Sequence, residues 1–299
     1  MRAPSPDVAI MGQPVGHTVI ISDTHLGRPR TGARSADALR PLWAGARELI
    51  VNGDLAEIAD PRWRAHAARQ VLRLQELCDT DGVEVCLLAG NHDPFISDRR
   101  YLRLGGGQIF ITHGDLLHPA ISPWTTHARR LRKLHTDALD SLDAAVRRDV
   151  HPRLEAARYA AHFKWNELAD PNRSSRSWPM RRIDLVATVI RTLWYWHTLP
   201  VRASHFARRY APEASFFVFG HIHRAGIWHL GGRTVINTGS YKFPSKPHIV
   251  VVDQTHLSVW PVRFNGRTYA WAARPRSRFR LPDAGIGRST SHHLEKKAG

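Results

Sequence analysis

The chain has 299 residues, of which 42% are apolar, enough for a substantial core and too many for a disordered polymer. Its two cysteines, Cys78 and Cys86, fit neither a zinc ribbon nor a disulfide scaffold, so both read as small buried apolar groups and a reducing, cytoplasmic setting is expected. The 43 basic against 26 acidic residues give a net charge of +17, carried mostly by arginine, a field that suits phosphorylated substrates, nucleic acid or acidic lipid headgroups without choosing among them.

Residues 1–16 carry Pro4, Pro6 and Pro14 without a long apolar core, so they read as a tail, neither signal peptide nor membrane span. No uncharged apolar run of about 18 residues follows anywhere. Short apolar runs then recur, each ending in polar residues. His17 to Ser22 runs into Asp23-Thr24-His25, and Glu48 to Val51 into Asn52-Gly53-Asp54. Val83 to Ala89 runs into Gly90-Asn91-His92-Asp93, Gln108 to Thr112 into His113-Gly114-Asp115, and Phe216 to Phe219 into Gly220-His221-Ile222-His223. Continuous apolar runs of this length predict strands buried on both faces, with helices between them. Arg62 to Leu77 predicts one such helix, with Trp63, Ala67, Val71, Leu74 and Leu77 on one stripe. Further strands are predicted at Thr234 to Asn237, Ile249 to Asp253 and Leu257 to Trp260, with a turn at Gly239-Ser240 near the site. Two stacked sheets in a four-layer α/β/β/α sandwich accommodate this number, within one domain over residues 17–270.

Between residues 118 and 212 the pattern changes to that of a helical insertion. His127 to Val150 predicts an amphipathic helix through Leu131, Leu134, Ala138, Leu142 and Ala145. Pro152 opens a second helix that continues to Leu168. A polar loop, Asp170 to Met180, precedes a third helix from Arg181 to Leu199. From Leu185 to Pro212 there is no acidic residue, while Arg191, Arg202, Arg208 and Arg209 accompany Trp194, Tyr195 and Trp196. That composition suits a membrane interface or an acyl-lined pocket, and equally a lid packing its aromatic face on the core. Residues 271–299 read as a basic, mobile tail.

The polar residues fall just past strand carboxyl ends, where open α/β sheets bind ligands. Asp23 and His25 are two apart, so one turn aims both at one ion. Asp54, Asn91, His113, His221 and His223 add oxygen and nitrogen donors. Mixed carboxylate, amide and imidazole ligands suit Mn²⁺ foremost, with Fe or Zn²⁺ as alternatives, whereas Ca²⁺ takes mostly oxygen. Seven donors exceed one tetrahedral zinc and suffice for two divalent ions sharing a carboxylate. Two ions about 3.5–4 Å apart would clamp both oxygens of an in-line phosphoryl displacement. Arg28 and Arg30 are candidate substrate-phosphate contacts, and His118, close behind the HGD motif, is a further substrate-contact candidate. Each motif alone is weak, but all five in this order at strand ends are specific.

The ordered set Asp23-x-His25, Gly53-Asp54-x-x-Glu57, Gly90-Asn91-His92-Asp93, His113 and Gly220-His221-x-His223 resembles the calcineurin-like metallophosphoesterase family over about residues 17–253. The resemblance implies a first metal on Asp23, His25, Asp54 and His223, and a second on Asp54, Asn91, His113 and His221, with Asp54 bridging. It implies that a metal-bound hydroxide attacks phosphorus, and that His92 faces the phosphate without binding metal. His92 would stabilise the transition state or protonate the leaving oxygen, oriented by Asp93.

Within that family, the helical insertion resembles that of the UDP-2,3-diacylglucosamine hydrolases of lipid A synthesis, which forms a lid over acyl chains. Ser22-Asp23-Thr24-His25-Leu26-Gly27, Gly53-Asp54-Leu55-Ala56-Glu57 and His113-Gly114-Asp115 match, while His92 stands where those hydrolases carry arginine. The implied activity is phosphoester or pyrophosphate hydrolysis on a lipid- or nucleotide-linked substrate, peripheral at the inner membrane surface. Two alternatives stay open. One is a nuclease or general phosphodiesterase whose basic charge tracks nucleic acid, against which the helical, hydrophobic insertion speaks. The other is a non-catalytic metal-binding scaffold, whose mark would be missing ligands; here none is missing.

Overall fold

The computed structural model describes residues 16–28, 31–125, 127–168 and 178–281. Twelve strands occur among them: β1 (His17–Ile21), β2 (Ala46–Asn52), β3 (Glu84–Leu88), β4 (Tyr101–Leu104), β5 (Ile109–Thr112), β6 (Phe216–Phe219), β7 (Gly226–Leu230), β8 (Arg233–Asn237), β9 (His248–Val252), β10 (His256–Phe264), β11 (Tyr269–Trp271) and β12 (Ser277–Arg280). One sheet runs in the order β11-β10-β9-β1-β2-β3, with β12 also on β10. The other runs β4-β5-β6-β8-β7. β1, β2 and β3 are mutually parallel, as are β5, β6 and β8, so their carboxyl ends share a direction within each sheet.

Period-two alternation sorts the side chains into layers. In β1, Val19 and Ile21 face a core with the helices α1 (Ala36–Leu39) and α2 (Arg64–Asp81), while Ile20 faces the other sheet. In β6, Phe216 and Val218 join that inter-sheet core, while Phe217 and Phe219 turn outward to α3 (Ala128–Asp140), α4 (Val150–Leu168) and α5 (Trp178–Tyr210). Helix, sheet, sheet, helix: the layers are those of the metallophosphoesterase sandwich expected from the sequence. The predicted strands occur within a few residues of their expected bounds. β4, β7, β11 and β12 were not foreseen: β11 spans only three residues, and Arg103 in β4, His229 in β7 and the arginines alternating with Ser277 and Phe279 in β12 interrupt the apolar pattern.

Three expectations are corrected. The predicted helix over His127 to Val150 ends at Asp140, and turns occupy residues 141–149 before α4 begins. The third helix does not stop at Leu199 but runs through Pro200 to Tyr210. Pro lacks an amide donor and ordinarily breaks a helix interior. Here Leu199, Ala203, Ala207 and Ala211 form a fully buried stripe against the second sheet, and that packing outweighs the lost bond. Nor does the chain leave the fold at residue 270: Trp271 buries against the first sheet, its indole donating to Leu42 O at 3.0 Å, and β12 follows. Residues 282–299, the remainder of the expected tail, lie outside the described residues, as does most of the loop expected at Asp170 to Met180. Cys78 and Cys86 are free and buried, as expected.

Ile20 has no exposure and sits between the sheets, so Ile20→Ala should cost about 2–5 kcal/mol in urea unfolding with an unchanged m-value. Leu72→Ala, on the exposed side of α2, should stay within about 0.5 kcal/mol of the parent.

Candidate metal centre

Backbone hydrogen bonds lock the strand ends to one another. Asp23 N donates to Gly53 O at 3.1 Å, His25 N to Asp54 O at 3.0 Å, and Gly220 N to His113 O at 2.9 Å. Asn52 Nδ2 donates to Thr112 O at 3.0 Å, tying one sheet to the other. The chain then turns back on itself in left-handed conformations: φ is 52° at Asp23, 48° at His25, 51° at Asp54, 70° at His221 and 55° at His223. With Ile121 at 54°, these are the only non-glycine residues of positive φ among the described residues. Each such residue costs about 1–3 kcal/mol and persists only when its surroundings over-determine it. A Cβ at Gly90 would strike the Asp54 carboxylate and amide, and one at Gly220 the Asp23 carboxylate, so glycine is required where the two turns press on the acids.

Two donor clusters result, and Asp54 belongs to both. In the first, Asp23, His25, Asp54 and His223 bring one ligand atom each within 4.8 Å of the others. His223 Nε2 lies 3.3 Å from Asp23 Oδ1, and His25 Nε2 lies 3.1 Å from His223 Nε2 and 3.8 Å from Asp54 Oδ2. The second groups Asp54, His113 and His221. Its His113 Nε2 is 3.4 Å from Asp54 Oδ2 and 3.2 Å from Asn91 Oδ1, which brings in the amide. All seven sequence-predicted ligands therefore converge. The inward nitrogens are set by bonds on the far side of each ring. His25 Nδ1 is 3.1 Å from Glu57 Oε1, and His113 Nδ1 is 3.1 Å from Asn52 O. His221 Nε2 meets the carbonyl of strained Ile121 at 2.8 Å, leaving its buried Nδ1 without a hydrogen-bond partner. An orphaned imidazole nitrogen beside a buried carboxylate fits a cation, and the mixed donor set fits two divalent ions better than one.

The structure departs from expectation at His92. Its Nδ1 lies 2.7 Å from Glu57 Oε2, not against Asp93. Asp93 instead accepts from three backbone amides, those of Gly90 at 2.8 Å, Asp54 at 3.1 Å and Ala56 at 3.2 Å, and so staples two motif loops together. Glu57 is thus the acid that orients His92, and it holds His25 with its other oxygen; the signal was its place in the Gly53-Asp54-x-x-Glu57 motif. His92 N also donates to Asp54 Oδ1 at 2.8 Å, fixing the ring's base to the shared carboxylate. Arg28 reaches Glu57 Oε1 at 3.4 Å, so the rim holds it. Arg30 lies outside the described residues. His118 is not grouped with the cage: its Nδ1 accepts from Ala120 N at 3.0 Å and its ring abuts Tyr195. Ser240, from the predicted turn, donates to Asp23 O at 3.0 Å. Asp115 pairs with buried Arg100 at 2.8 Å, a support the sequence did not announce.

Burial holds the His25 and His221 rings down to about 4, so both are neutral donors at pH 7. Burial also opposes charge on His113, but the field and hydrogen bond of Asp54 overcome it and push this ring up to about 10. Burial would raise Asp54 too, yet the surrounding imidazoles hold it well below the usual carboxylate range. A cation entering the second cluster must therefore displace a proton from His113. Below pH 10 the His113 proton competes with metal, so affinity should climb with pH, roughly tenfold per unit for one displaced proton. Titration calorimetry with Mn²⁺ at pH 6.5 and 7.5, in buffers of differing ionisation enthalpy, reads both the climb and the proton released; a pH-independent affinity would contradict it.

The family model for calcineurin-like phosphoesterases matches residues 16–225. No curated protein matches the chain. Among solved structures, the chain is similar to a predicted phosphoesterase from Streptococcus pneumoniae TIGR4, at 13% identity and a TM-score of 0.40, covering 90% of this chain and 99% of that one. It is similar to vacuolar protein sorting 29 from Cryptosporidium parvum, at 11% identity and a TM-score of 0.42, covering 89% and 100%. A third is the cold-active protein-tyrosine phosphatase of a psychrophilic Shewanella species, at 14% identity and a TM-score of 0.37, covering 86% and 80%. No functional statement follows from likenesses at these scores. With the family model spanning most of the chain and its donor motifs gathered at one rim, the chain belongs to the calcineurin-like phosphoesterase family.

Proposed function

We propose that the protein hydrolyses a phosphoester or pyrophosphate bond in a lipid- or nucleotide-linked substrate. The observation that carries this is the pair of donor clusters sharing Asp54 with His92 poised beside them on Glu57. Asp23, His25, Asp54 and His223 would hold one divalent ion, and Asp54, Asn91, His113 and His221 the other. Such ions supply Lewis-acid polarisation of phosphoryl oxygens and acidify bound water. Glu57 fixes the plane of the His92 ring, which would place a donor on the phosphoryl or leaving oxygen. Arg28, beside Glu57 and a third exposed, would meet another phosphate oxygen. Ring orientation through Glu57 replaces the role first given to Asp93, whose three amide bonds leave it a structural part.

The lipid-linked reading is supported by the outward side of α5. Val186, Val189, Ile190, Leu193, Trp194 and Val201 fall on one helical face and are all exposed, while Tyr195 and Leu199 on the opposite face are buried. A helix apolar on both faces, with exposed Arg191 and Arg208 along it, suits an anionic bilayer surface rather than water. Among the described residues no helix is long and apolar enough to cross a membrane, so the association would be peripheral. A membrane-surface enzyme is favoured over the nuclease reading by this face, and over the scaffold reading by the completeness of the donor set.

Loaded with Mn²⁺, the protein should cleave bis-p-nitrophenyl phosphate and a UDP-sugar lipid, with chelator abolishing both. His92→Ala should keep both ions and lose about 10²–10⁴ in kcat, whereas Asp54→Ala should lose metal occupancy. Cleavage of single-stranded DNA alone would sink the lipid reading. Two bound ions without any cleavage would leave a scaffold. In flotation with anionic vesicles, Trp194→Glu combined with Ile190→Glu should release most of the protein while sparing bis-p-nitrophenyl phosphate turnover; unchanged flotation would remove α5 from the membrane contact.

A further inference from the structure

Beside the cage lies a cleft of about 580 Å³, within the size range of small-ligand sites. His221 and His223 belong to its wall, so the cleft opens directly from the metal clusters. Four cations line it: Arg224, Lys242, Lys246 and Arg276; no carboxylate does. Among the described residues none of the four forms an ion pair with an acid, although elsewhere in the fold arginines pair repeatedly, as Arg73 does with Asp37 and Arg100 with Asp115. Like charges gathered in one concavity repel one another and focus a positive potential, an arrangement that a bound anion relieves. The apolar side of the cleft is held rigid. Trp196 donates through Nε1 to Ile222 O at 3.1 Å, and the Arg224 guanidinium lies 5.7 Å from the centre of its ring. Trp124, 5.1 Å from the His221 ring, closes the end nearest the cage.

We propose that this cleft seats a second phosphoryl group of the substrate, directly following the one over the cage, with the attached apolar or planar body against Trp196 and Trp124. The scissile bond then lies within a pyrophosphate linkage: as a water oxygen joins the cage phosphorus, its bond to the bridging oxygen breaks and that oxygen leaves on the cleft phosphoryl, so Lys246 and Arg276 are specificity residues that hold the outer oxygens of the leaving group. The inference rests on the hydrolase reading above and sharpens its substrate: a small pyrophosphate-linked molecule, distinguished from a simple diester by its second charge.

The test pairs two substrates with one double variant, Lys246→Ala with Arg276→Ala, neither residue being part of the cage. For UDP-glucose, kcat/KM should fall about tenfold or more, through kcat, KM or both, as expected for losing charge-assisted bonds to the leaving phosphoryl group. For bis-p-nitrophenyl phosphate, which has no second phosphoryl group, both parameters should hold. Equal losses on both substrates, or no loss on either, would overturn the proposal. So would a loss confined to the dinucleotide pTpT, which would make the cleft a track for a nucleic-acid backbone. If the unaltered protein cleaves none of these, the hydrolase reading fails by itself and the cleft is read by binding. Calorimetry with UDP and uridine on the full chain should then show UDP bound about tenfold or more tighter than uridine, an advantage the double variant loses. Equal binding of the two would overturn the proposal there as well.

Discussion

Five carboxylates, Asp23, Asp54, Glu57, Asp93 and Asp115, lie at one rim of the fold with exposures of 1% or less. An ionised acid taken out of water costs several kcal/mol unless its charge is met. Each of the five is met differently, and the differences sort their roles. Asp115 has a buried guanidinium, and Glu57 has two imidazoles with Arg28 alongside. Asp93 has only backbone amides, and burial together with the charge of Asp54 pushes it up to about 6. Asp23 accepts twice from the His221 amide at 3.0 Å and from the Ser22 hydroxyl, while Asp54 accepts from the His92 amide. These last two face the inward nitrogens of four histidines, and the imidazoles hold both carboxyls below the usual carboxylate range although burial opposes it. Two buried carboxylates ringed by imidazole nitrogens and one amide oxygen make a donor set that could hold divalent cations.

Holding that arrangement costs backbone strain, and the sandwich absorbs it. The left-handed residues are the ligands themselves and the one residue whose carbonyl braces His221. Asp23, Asp54 and His221 sit two positions, and His25 and His223 four positions, beyond a strand whose register is fixed by parallel neighbours and by cores on both faces. The strands cannot slip without moving every apolar side chain to the wrong layer. A rigid two-sheet platform thus carries turns that would relax if left alone. The same platform presents α5 on one side of the cage and the loop of Lys242 and Lys246 on another, so the cleft between them is a consequence of the topology.

Much of this was legible in the residues. Apolar runs ending in Asp, Asn and His marked the strand ends, and their continuity foretold strands buried on both faces, in a number that two stacked sheets accommodate. The seven side chains that meet at this rim were readable in the sequence as candidate ligands, because metal-compatible residues recur at successive strand ends. What failed had identifiable causes. The family resemblance gave the orienting of His92 to Asp93, a role that geometry gives to Glu57, 35 positions earlier. Pro200 carried a local rule, helix termination, that tertiary packing of Leu199, Ala203 and Ala207 overrode. Residues 271–281 looked like tail because charged side chains on an edge strand resemble those of a solvated segment, and only pairing with β10 distinguishes them. The cleft cations Arg224, Lys242, Lys246 and Arg276 were invisible as a group, since nothing in their spacing shows that separate loops bring them to one wall.

The central claim is a cage for two ions sharing one carboxylate. Its most direct measurement is a crystal soaked in Mn²⁺ and recorded for anomalous scattering. Two peaks should flank Asp54, one among Asp23, His25 and His223, the other among Asn91, His113 and His221. A single peak at full loading, or peaks away from Asp54, would contradict it.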